Sequence, residues 1–247
     1  MSDTHARIAR WWDADAAVYD DAAGHAMSDP IEAAAWRRVL ERTLPAAPAD
    51  VLDVGTGTGS LALLAAELGH VVTGVDLSEG MLARAKDKAT RAGQSIGFIL
   101  ARAEDPPPGP FDAIIERHVL WTIPDPVAAL RAWRSVTRRG GRLVLLEGSW
   151  GGEGPFVQVA DRLTELMERL QGIGEHHHAA YPDDLPLPLQ GLTSPAPYLA
   201  AVEAAGWTRV RIARLRDVEW AIERRQPWPL GWLSHRARYA IVADEPA

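Results

Sequence analysis

Residues 51–59 read VLDVGTGTG, an apolar run that leads directly into alternating glycines. The apolar run is too short for a helix and is followed at once by glycine, so it predicts a buried strand over 51–54. The glycines allow the backbone to turn tightly and to approach a ligand closely. A helix is predicted over 58–68, and the free N–H groups at its start favour a bound group near the loop. The stretch therefore predicts a strand–loop–helix unit whose loop holds a ligand.

Two carboxylates limit which ligand this loop can hold. Asp53 ends the predicted strand, where a negative charge suits a cationic amino group better than a pyrophosphate. The G-x-G-x-G spacing also differs from the G-x-G-x-x-G of dinucleotide-binding enzymes. Asp76 follows 23 residues later, at the end of the next predicted strand, where a carboxylate can accept hydrogen bonds from both hydroxyls of a ribose. It would also stabilise the start of the helix that Ser78 caps, and the two roles are compatible.

Strands and helices alternate along the middle of the chain. Further strands are predicted at 71–75, 96–100, 111–115 and 142–147. Further helices are predicted from Ser78 to about Ala92 and from Asp125-Pro126 to near Arg138, before Gly140-Gly141. This alternation predicts a parallel sheet with helices on both faces, wound by right-handed crossovers. In such sheets the ligand binds beyond the carboxyl ends of the strands.

The regions outside this core complete the expected fold. Asp29-Pro30 opens an N-terminal helix, with Glu32 at the capping-box position. Ser194-Pro195 opens a late helix that ends before Gly206, and a hairpin-like pair of strands near 208–215 and 237–243 would give the sheet an antiparallel edge strand. We expect one α/β domain with a doubly wound, seven-stranded, mostly parallel sheet. Its predicted parts are an N-terminal helical lid (1–50), a cofactor-binding core (51–150), a substrate lid inserted after the fifth strand (151–197), and a C-terminal helix with edge strands (198–247).

Composition narrows the function classes. The chain has 247 residues, no cysteine and a formal net charge of -7. The absence of cysteine excludes a disulfide framework and a thiolate metal site, and fits a cytoplasmic setting. No apolar run is long enough to span a bilayer, so no membrane association is expected. The acidic balance and the lack of a basic run disfavour nucleic acid as a partner.

Three blocks of sequence resemble a known family. They are VLDVGTGTGSLALLAAELGHVVTGVDLSEGML (51–82), FDAIIERHVLWTIPDP (111–126) and LRAWRSVTRRGGRLVLLEG (130–148). Together they resemble the core of class I S-adenosylmethionine-dependent methyltransferases of the small-molecule type. The resemblance implies a Rossmann-like fold and S-adenosyl-L-methionine as the cofactor. It gives almost no information about the substrate.

The resemblance also implies the roles of individual residues. Asp53 and the backbone of Gly55 and Gly57 would hold the methionine end, and Asp76 the ribose. Leu77 and Met81 would pack against the adenine, with Ala103 and Glu104 at its edge. Many relatives have Asp where Arg102 stands, so the adenine contact would come from the Ala103 N–H or from Glu104. The full predicted cofactor set is Tyr19, Asp53, Gly55, Thr56, Gly57, Gly59, Asp76, Leu77, Met81, Ala103, Glu104, Glu116 and Arg117. In it, Glu116 and Arg117 would touch the amino group through the backbone, and Tyr19 would close the pocket.

Methyl transfer requires the protein to align an acceptor lone pair with the S–CH₃ bond and to exclude water. A general base helps when the acceptor is a hydroxyl group or a protonated amine. His118 follows the fourth strand, near the expected pocket mouth, and is the candidate base because imidazole titrates near working pH. The alternative is that His118 only caps a turn or packs on the cofactor.

Aromatic residues and a histidine cluster are the candidates for contact with the acceptor. Trp121 and Trp150 follow the fourth and fifth strands, on the ligand side of the sheet. His176-His177-His178 lies in the predicted lid, and His177 represents it as a substrate-binding candidate. Adjacent histidines cannot easily all face one ion, so we expect no metal. Three further tryptophans are predicted to lie in the core: Trp36, Trp133 and Trp207.

These features predict methyl transfer to a hydroxyl group or an amine of a small molecule, such as a bacterial secondary metabolite. An alternative on the same fold is a non-methylating cyclase or binding protein that uses the cofactor structurally. A nicotinamide-dependent oxidoreductase is disfavoured by the glycine spacing and by the lack of a Tyr-x-x-x-Lys pair. A base-modifying methyltransferase is disfavoured because no Asn/Asp-Pro-Pro-aromatic motif follows the fourth strand. The apolar stripe from Phe156 to Leu170 allows a homodimer, so a monomer or a homodimer is expected.

Overall fold

The computed structural model describes residues 3–21, 24–148, 185, 187–226 and 236–246. The helices are α1 (Asp3–Asp15), α2 (Pro30–Thr43), α3 (Ser60–Glu67), α4 (Glu79–Arg91), α5 (Pro126–Ser135), α6 (Ala196–Ala204) and α7 (Arg216–Glu223). The strands are β1 (Asp50–Val54), β2 (Val71–Asp76), β3 (Gly97–Leu100), β4 (Phe111–Arg117), β5 (Thr137–Gly148), β6 (Thr208–Arg214) and β7 (Arg238–Asp244). Short 3₁₀ turns occur at Tyr19–Asp21 and Leu120–Thr122.

The strands form one seven-stranded sheet in the order β3-β2-β1-β4-β5-β7-β6. The pairings from β3 to β5 are parallel, and both pairings of β7 are antiparallel. This confirms the predicted doubly wound, mostly parallel sheet with antiparallel pairing at one edge. The reversed strand is β7, which lies between β5 and the outermost strand β6. From β1 the chain adds β2 and β3 on one side, and it then returns to add β4 on the other side of β1. A crevice is therefore expected between the carboxyl ends of β1 and β4.

Two apolar layers cover the two faces of the sheet. One layer contains α2 and α3, with Trp36, Val39 and Leu40 buried in it. The other contains α5 and α6, with Trp133 and Trp207 buried in it. The predicted core roles of these three tryptophans are confirmed. Both faces of the central strands are therefore out of water, as a parallel sheet requires.

Three local predictions were wrong at the ends of elements. Helix α5 ends at Ser135, and β5 already begins at Thr137. The chain between Thr137 and Arg142 is accommodated as a bulge opposite Phe111 and Ala113, and Gly140 adopts φ +73° there. Helix α3 begins at Ser60 because Gly59 is left-handed at φ +78°. The predicted start at residue 58 is therefore too early.

The C-terminal strands and Glu32 also differ from expectation. Strands β6 and β7 do pair antiparallel, but they are not a hairpin, because α7 lies between them in the chain. Val218 and Ile222 of α7 are buried in the layer that contains α2. Glu32 does not act as a capping-box residue, because its buried carboxylate accepts a hydrogen bond from Arg225 Nη1 at 2.9 Å. Asp29 alone caps α2, accepting from the N–H groups of Ile31 and Glu32.

Trp150, at the end of the predicted core, lies outside the described residues, and so does most of the predicted substrate lid, including His176–His178. Its described end carries Leu185 and Leu187, which are buried against Ile8 of α1. No helix among the described residues combines the length and the apolar character needed to cross a membrane.

Candidate functional site

A cleft lies at the carboxyl end of β1, where the glycine loop leaves the sheet. Its lining residues are Tyr19, Asp53, Gly55, Thr56, Gly57, Thr58, Ser60, Leu61 and Arg117. Gly55 and Gly57 have φ of +62° and +54°, which glycine adopts without the strain that a side chain would add. A Cβ on Gly55 would lie 2.2 Å from Val119 Cγ2, whereas a Cβ on Gly57 would meet nothing within 4 Å. Glycine is therefore needed at position 55 for space as well as for conformation.

Asp53 places a buried carboxyl group at the floor of this cleft. It is 1% exposed, and Thr56 Oγ1 donates to its Oδ2 at 2.6 Å. Burial raises the pKa of Asp53 to about 7, although the Thr56 hydrogen bond and the Arg117 charge act in the opposite direction. A cation bound beside it would stabilise the ionised form. The site at Asp53 therefore suits a positively charged group, as its sequence position predicts.

Asp76 ends β2 and faces the same loop. Its Oδ2 accepts from the Gly57 N–H at 2.8 Å and its Oδ1 from the Ser78 N–H at 2.9 Å. Burial raises the pKa of Asp76 to about 6 despite these hydrogen bonds. Each carboxylate oxygen has more than one acceptor position, so both oxygens can still receive a ligand hydroxyl. The backbone has thus oriented this carboxylate before any ligand binds.

The expected adenine side lies beyond β2 and β3. Met81 is buried, and its N–H donates to Ser78 Oγ at 3.0 Å. Leu77 packs at the edge of the Ile8 cluster. Trp133 Nε1 donates to the carbonyl of Ala103 at 2.7 Å, which fixes the peptide backbone at this position. Glu104 is already engaged, because its Oε1 lies 2.7 Å from His5 Nε2 of α1.

The guanidinium of Arg102 is engaged by a neighbouring carboxylate. Its guanidinium donates to Asp105 Oδ2, with the Nε at 2.7 Å. The side chains of Arg102 and Glu104 are therefore both engaged by other residues of the chain.

The turn at Tyr19 lies at the cleft and is held there by polar contacts. Tyr19 lies in the cleft wall and stacks on His25 at a centroid distance of 4.3 Å. The next residue, Asp20, accepts from Thr58 Oγ1 at 2.7 Å and forms an ion pair with Lys88 Nζ at 2.7 Å. These contacts tie the Tyr19 turn to the glycine loop and to α4. Sequence reasoning identified Tyr19 but missed Asp20 and Lys88, which no motif marks.

At the end of β4, the Glu116 side chain binds backbone N–H groups of the turn that follows. It is fully buried, and its Oε2 accepts from the N–H groups of Val119 at 2.9 Å and Leu120 at 3.4 Å. Burial raises the pKa of Glu116 above its usual range. On the neighbouring strand β5, burial first and the Glu116 charge second raise the pKa of Glu147 well above its usual range. The two carboxyl groups therefore retain protons that exposed carboxyl groups would lose.

Arg117 lines the cleft, and its guanidinium is held by the N-terminal segment. Its Nη1 donates to the carbonyl of Gly24 at 2.6 Å and its Nη2 to that of His25 at 3.3 Å. The guanidinium also lies 5.8 Å from the ring centroid of Trp36. Among the described residues, no carboxylate forms an ion pair with it. Asp53 and Arg117 thus offer opposite charges within one cleft, which is what the zwitterionic end of an amino acid requires.

His118 stands on the turn that follows β4. Its Nδ1 lies 3.4 Å from Glu147 Oε2, and its Nε2 lies 3.0 Å from Arg238 Nη1. Burial, followed by the charges of Arg238, Arg117 and His25, lowers the pKa of His118 well below its usual range. The imidazole is therefore neutral near pH 7. Trp121, three residues later, packs against the Ile8 cluster.

Among the described residues, no group of at least three His, Cys, Asp or Glu side chains is placed to hold a metal ion. The predicted acceptor residues Trp150 and His177 lie outside the described part of the chain.

Comparisons with known proteins identify the family of this chain. Residues 52–145 match a methyltransferase domain family. A ubiquinone biosynthesis O-methyltransferase of Xanthomonas euvesicatoria pv. vesicatoria is 30% identical over 222 residues, which cover 89% of this chain and 81% of that one. The chain belongs to the class I S-adenosylmethionine-dependent methyltransferases. S-adenosyl-L-methionine is accordingly the cofactor of this methyltransferase. The opposite charges of Asp53 and Arg117 and the oriented carboxylate of Asp76 are compatible with its amino-acid end and its ribose.

Solved structures show the same fold at lower identity. The geranyl diphosphate C-methyltransferase of Streptomyces coelicolor A3(2), in complex with Mg²⁺, geranyl diphosphate and S-adenosyl-L-homocysteine, has a TM-score of 0.66 and 17% identity, with 99% of each chain covered. The cyclase SpnF has a TM-score of 0.60 and 22% identity, with 87% of this chain and 81% of that one covered. At these identities the likeness concerns the fold of the methyltransferase alone.

Proposed function

We propose that this methyltransferase methylates a hydroxyl group of a small molecule, in bacterial secondary metabolism. The named O-methyltransferase relative supports a hydroxyl acceptor over the amine that the sequence left open. The observation that carries the proposal is the placement of His118. It is a neutral imidazole just after β4, and the preceding residue, Arg117, lines the cofactor cleft. A neutral imidazole can take the proton that a hydroxyl group must lose.

In this proposal the cleft residues bind the cofactor by charge. Asp53 holds the ammonium group, Arg117 the carboxylate of the methionine end, and Asp76 both ribose hydroxyls. The cofactor supplies an activated methyl group on its sulfonium sulfur. Tyr19 and its turn, held by Asp20, exclude water from that end of the cleft.

The remaining predicted roles belong to the same proposal. Thr56 keeps Asp53 in place, Gly59 allows α3 to begin close to α4, and Ala103 offers its N–H to the adenine. Trp121 shapes the acceptor side. A cytoplasmic location, the single-domain organisation with two lids, and a monomeric or homodimeric state remain predictions.

The test compares matched acceptors in the presence of methyl-labelled S-adenosylmethionine. Catechol and 2-aminophenol share a carbon skeleton, and benzene-1,2-diamine lacks the hydroxyl groups, so the labelled product identifies the methylated atom. Label on oxygen supports the proposal. Label confined to nitrogen, or conversion of a substrate without label, would contradict it; the second result would favour the cyclase alternative.

The His118→Asn variant tests the base. Asn tolerates the left-handed backbone at this position, where φ is +59°, but it cannot accept the proton. We expect the methylation rate to fall by about 10²–10⁴-fold, a typical contribution of a general base, while the affinity for S-adenosylhomocysteine stays within about twofold. His70→Asn is the matched control, because His70 is a buried imidazole that precedes β2, at the opposite end of the sheet. Unchanged activity in His118→Asn would remove His118 from the mechanism.

A further inference from the structure

The imidazole of His118 is held from two sides by neighbouring strands. Glu147 of β5 faces Nδ1 at 3.4 Å, and Arg238 of β7 faces Nε2 at 3.0 Å. Strands β5 and β7 are paired, with Glu147 directly opposite Tyr239 in the register. The two holding residues therefore come from adjacent positions of one antiparallel pair, although they are far apart in the chain.

The chemistry of these contacts determines where the ring proton lies. A guanidinium has donors and no acceptor, so the nitrogen that faces Arg238 must carry the lone pair. A neutral imidazole has one N–H, which must then be on Nδ1, pointing to Glu147. The ring is consequently restricted to one tautomer, with its basic nitrogen covered by a cation.

The backbone supports the same conclusion. His118 adopts φ +59°, which is uncommon for a residue with a side chain and persists where the surroundings hold it. Its own N–H donates to the Leu146 carbonyl at 3.3 Å, and the Glu116 carboxylate binds the next two N–H groups. The turn that presents the imidazole is thus anchored to the two strands on which it lies.

We propose that Arg238 is a positioning residue for His118, which sets its tautomer and covers Nε2 until acceptor binding moves the guanidinium aside. This proposal rests on the proposed role of His118 as the base. With the guanidinium displaced, the acceptor hydroxyl gives its proton to the Nε2 lone pair as the acceptor oxygen bonds to the methyl carbon and the S–CH₃ bond breaks. The imidazolium then carries protons on both nitrogens, and the sulfur leaves with the bonding pair as a neutral thioether.

The charges around the ring predict how its titration responds to substitution. Arg238, Arg117 and His25 all disfavour the imidazolium, and the carboxyl group of Glu147 is protonated and does not offset them. Arg238 is in turn near the carboxylates of Glu32, Glu219 and Glu223. Removal of the Arg238 charge leaves these carboxylates in place, so the pKa of His118 should rise.

The experiment uses nitrogen NMR of the full chain, labelled with ¹⁵N-histidine and bound to S-adenosylhomocysteine. In the wild type, the His118 resonances should show a protonated Nδ1 and an unprotonated Nε2. In Arg238→Gln the amide oxygen can accept a hydrogen bond from an Nε2–H, so a mixture of tautomers should appear and the pKa of His118 should rise by about one unit or more. Arg238→Lys keeps a donor and a charge and should stay near the wild type. Arg211→Gln, on β6, is the control that should change neither quantity.

Identical ¹⁵N shifts and identical titration in the wild type and Arg238→Gln would overturn the proposal, and a wild-type ring protonated on Nε2 would overturn it as well. The pH profile of methyl transfer then separates the two proposals. If the acidic limb of kcat moves to higher pH together with the His118 pKa, both are supported. If the NMR changes occur and the limb stays in place, the positioning by Arg238 is supported and His118 is not the base.

Discussion

Asp76→Asn tests the cofactor site most directly. The carboxylate is oriented by Gly57 and Ser78, so it can accept two ribose hydroxyls without reorganisation. Hydrogen bonds to a charged group contribute about 1.5–3 kcal/mol each. Asn removes the charge and turns one of the two acceptors into a donor. We therefore expect a loss of about 3 kcal/mol, which is roughly a 150-fold increase in the Kd for S-adenosylhomocysteine.

Isothermal calorimetry at pH 8 measures this change, because Asp76, with a pKa of about 6, is ionised there. Asp87→Asn, on the exposed face of α4, is the matched control and should leave Kd unchanged. Wild-type affinity should also weaken as the pH falls through 6 and Asp76 gains a proton, and that component should be absent from Asp76→Asn. A weakening near pH 7 from Asp53 should remain in both proteins. A change in Kd of less than fivefold, in a folded Asp76→Asn protein, would refute the ribose assignment.

Two further predictions concern stability. Gly55→Ala should lower the free energy of unfolding by about 2–5 kcal/mol, because its Cβ would clash with Val119 and the backbone is left-handed. Gly57→Ala should lower it by only about 1–2 kcal/mol, the conformational strain alone. Equal urea midpoints for the two variants would contradict the clash. Glu147 stays protonated in the folded state and ionises in the unfolded state above its ordinary pKa, so the free energy of unfolding of the wild type should fall as the pH rises above about 5. Glu147→Gln should reduce the slope of that decline by up to about 1.4 kcal/mol per pH unit. If stabilities from thermal unfolding depend on pH in the same way in both proteins, Glu147 does not retain its proton.

Much of the fold was predictable because it depends on local patterns. Short apolar runs bounded by glycine marked the parallel strands, and Ser78, Asp29 and Asp125 marked helix starts that the structure confirms as caps. The errors occur where contacts between distant residues overrode local signals. Glu32 has the spacing of a capping box, yet it pairs with Arg225 because α2 and the end of α7 pack together.

The placement of Asp53 and Asp76 beside the glycine loop was predictable for a similar reason. Asp53 is the next-to-last residue of β1 and Asp76 is the last residue of β2, and parallel strands bring their carboxyl ends to one edge of the sheet. Two residues at the ends of adjacent strands therefore meet without further information. The side-chain role of Arg117 was not predictable, since its contacts to Gly24 and His25 depend on where the N-terminal segment lies.

The amino-acid sequence by itself determined the strand–loop–helix unit at residues 51–67, the parallel sheet built onto it, and a loop suited to an adenosyl ligand with an amino-acid end. These follow from periodicity, chain stiffness and glycine conformation, which act over a few residues. Only the tertiary structure decided how His118 is held, because Glu147 and Arg238 reach it through strand pairing across 29 and 120 residues of chain. Burial in that packed interior cannot be read from the sequence, and it also lowers the pKa of His118 and raises the pKa values of Glu116 and Glu147.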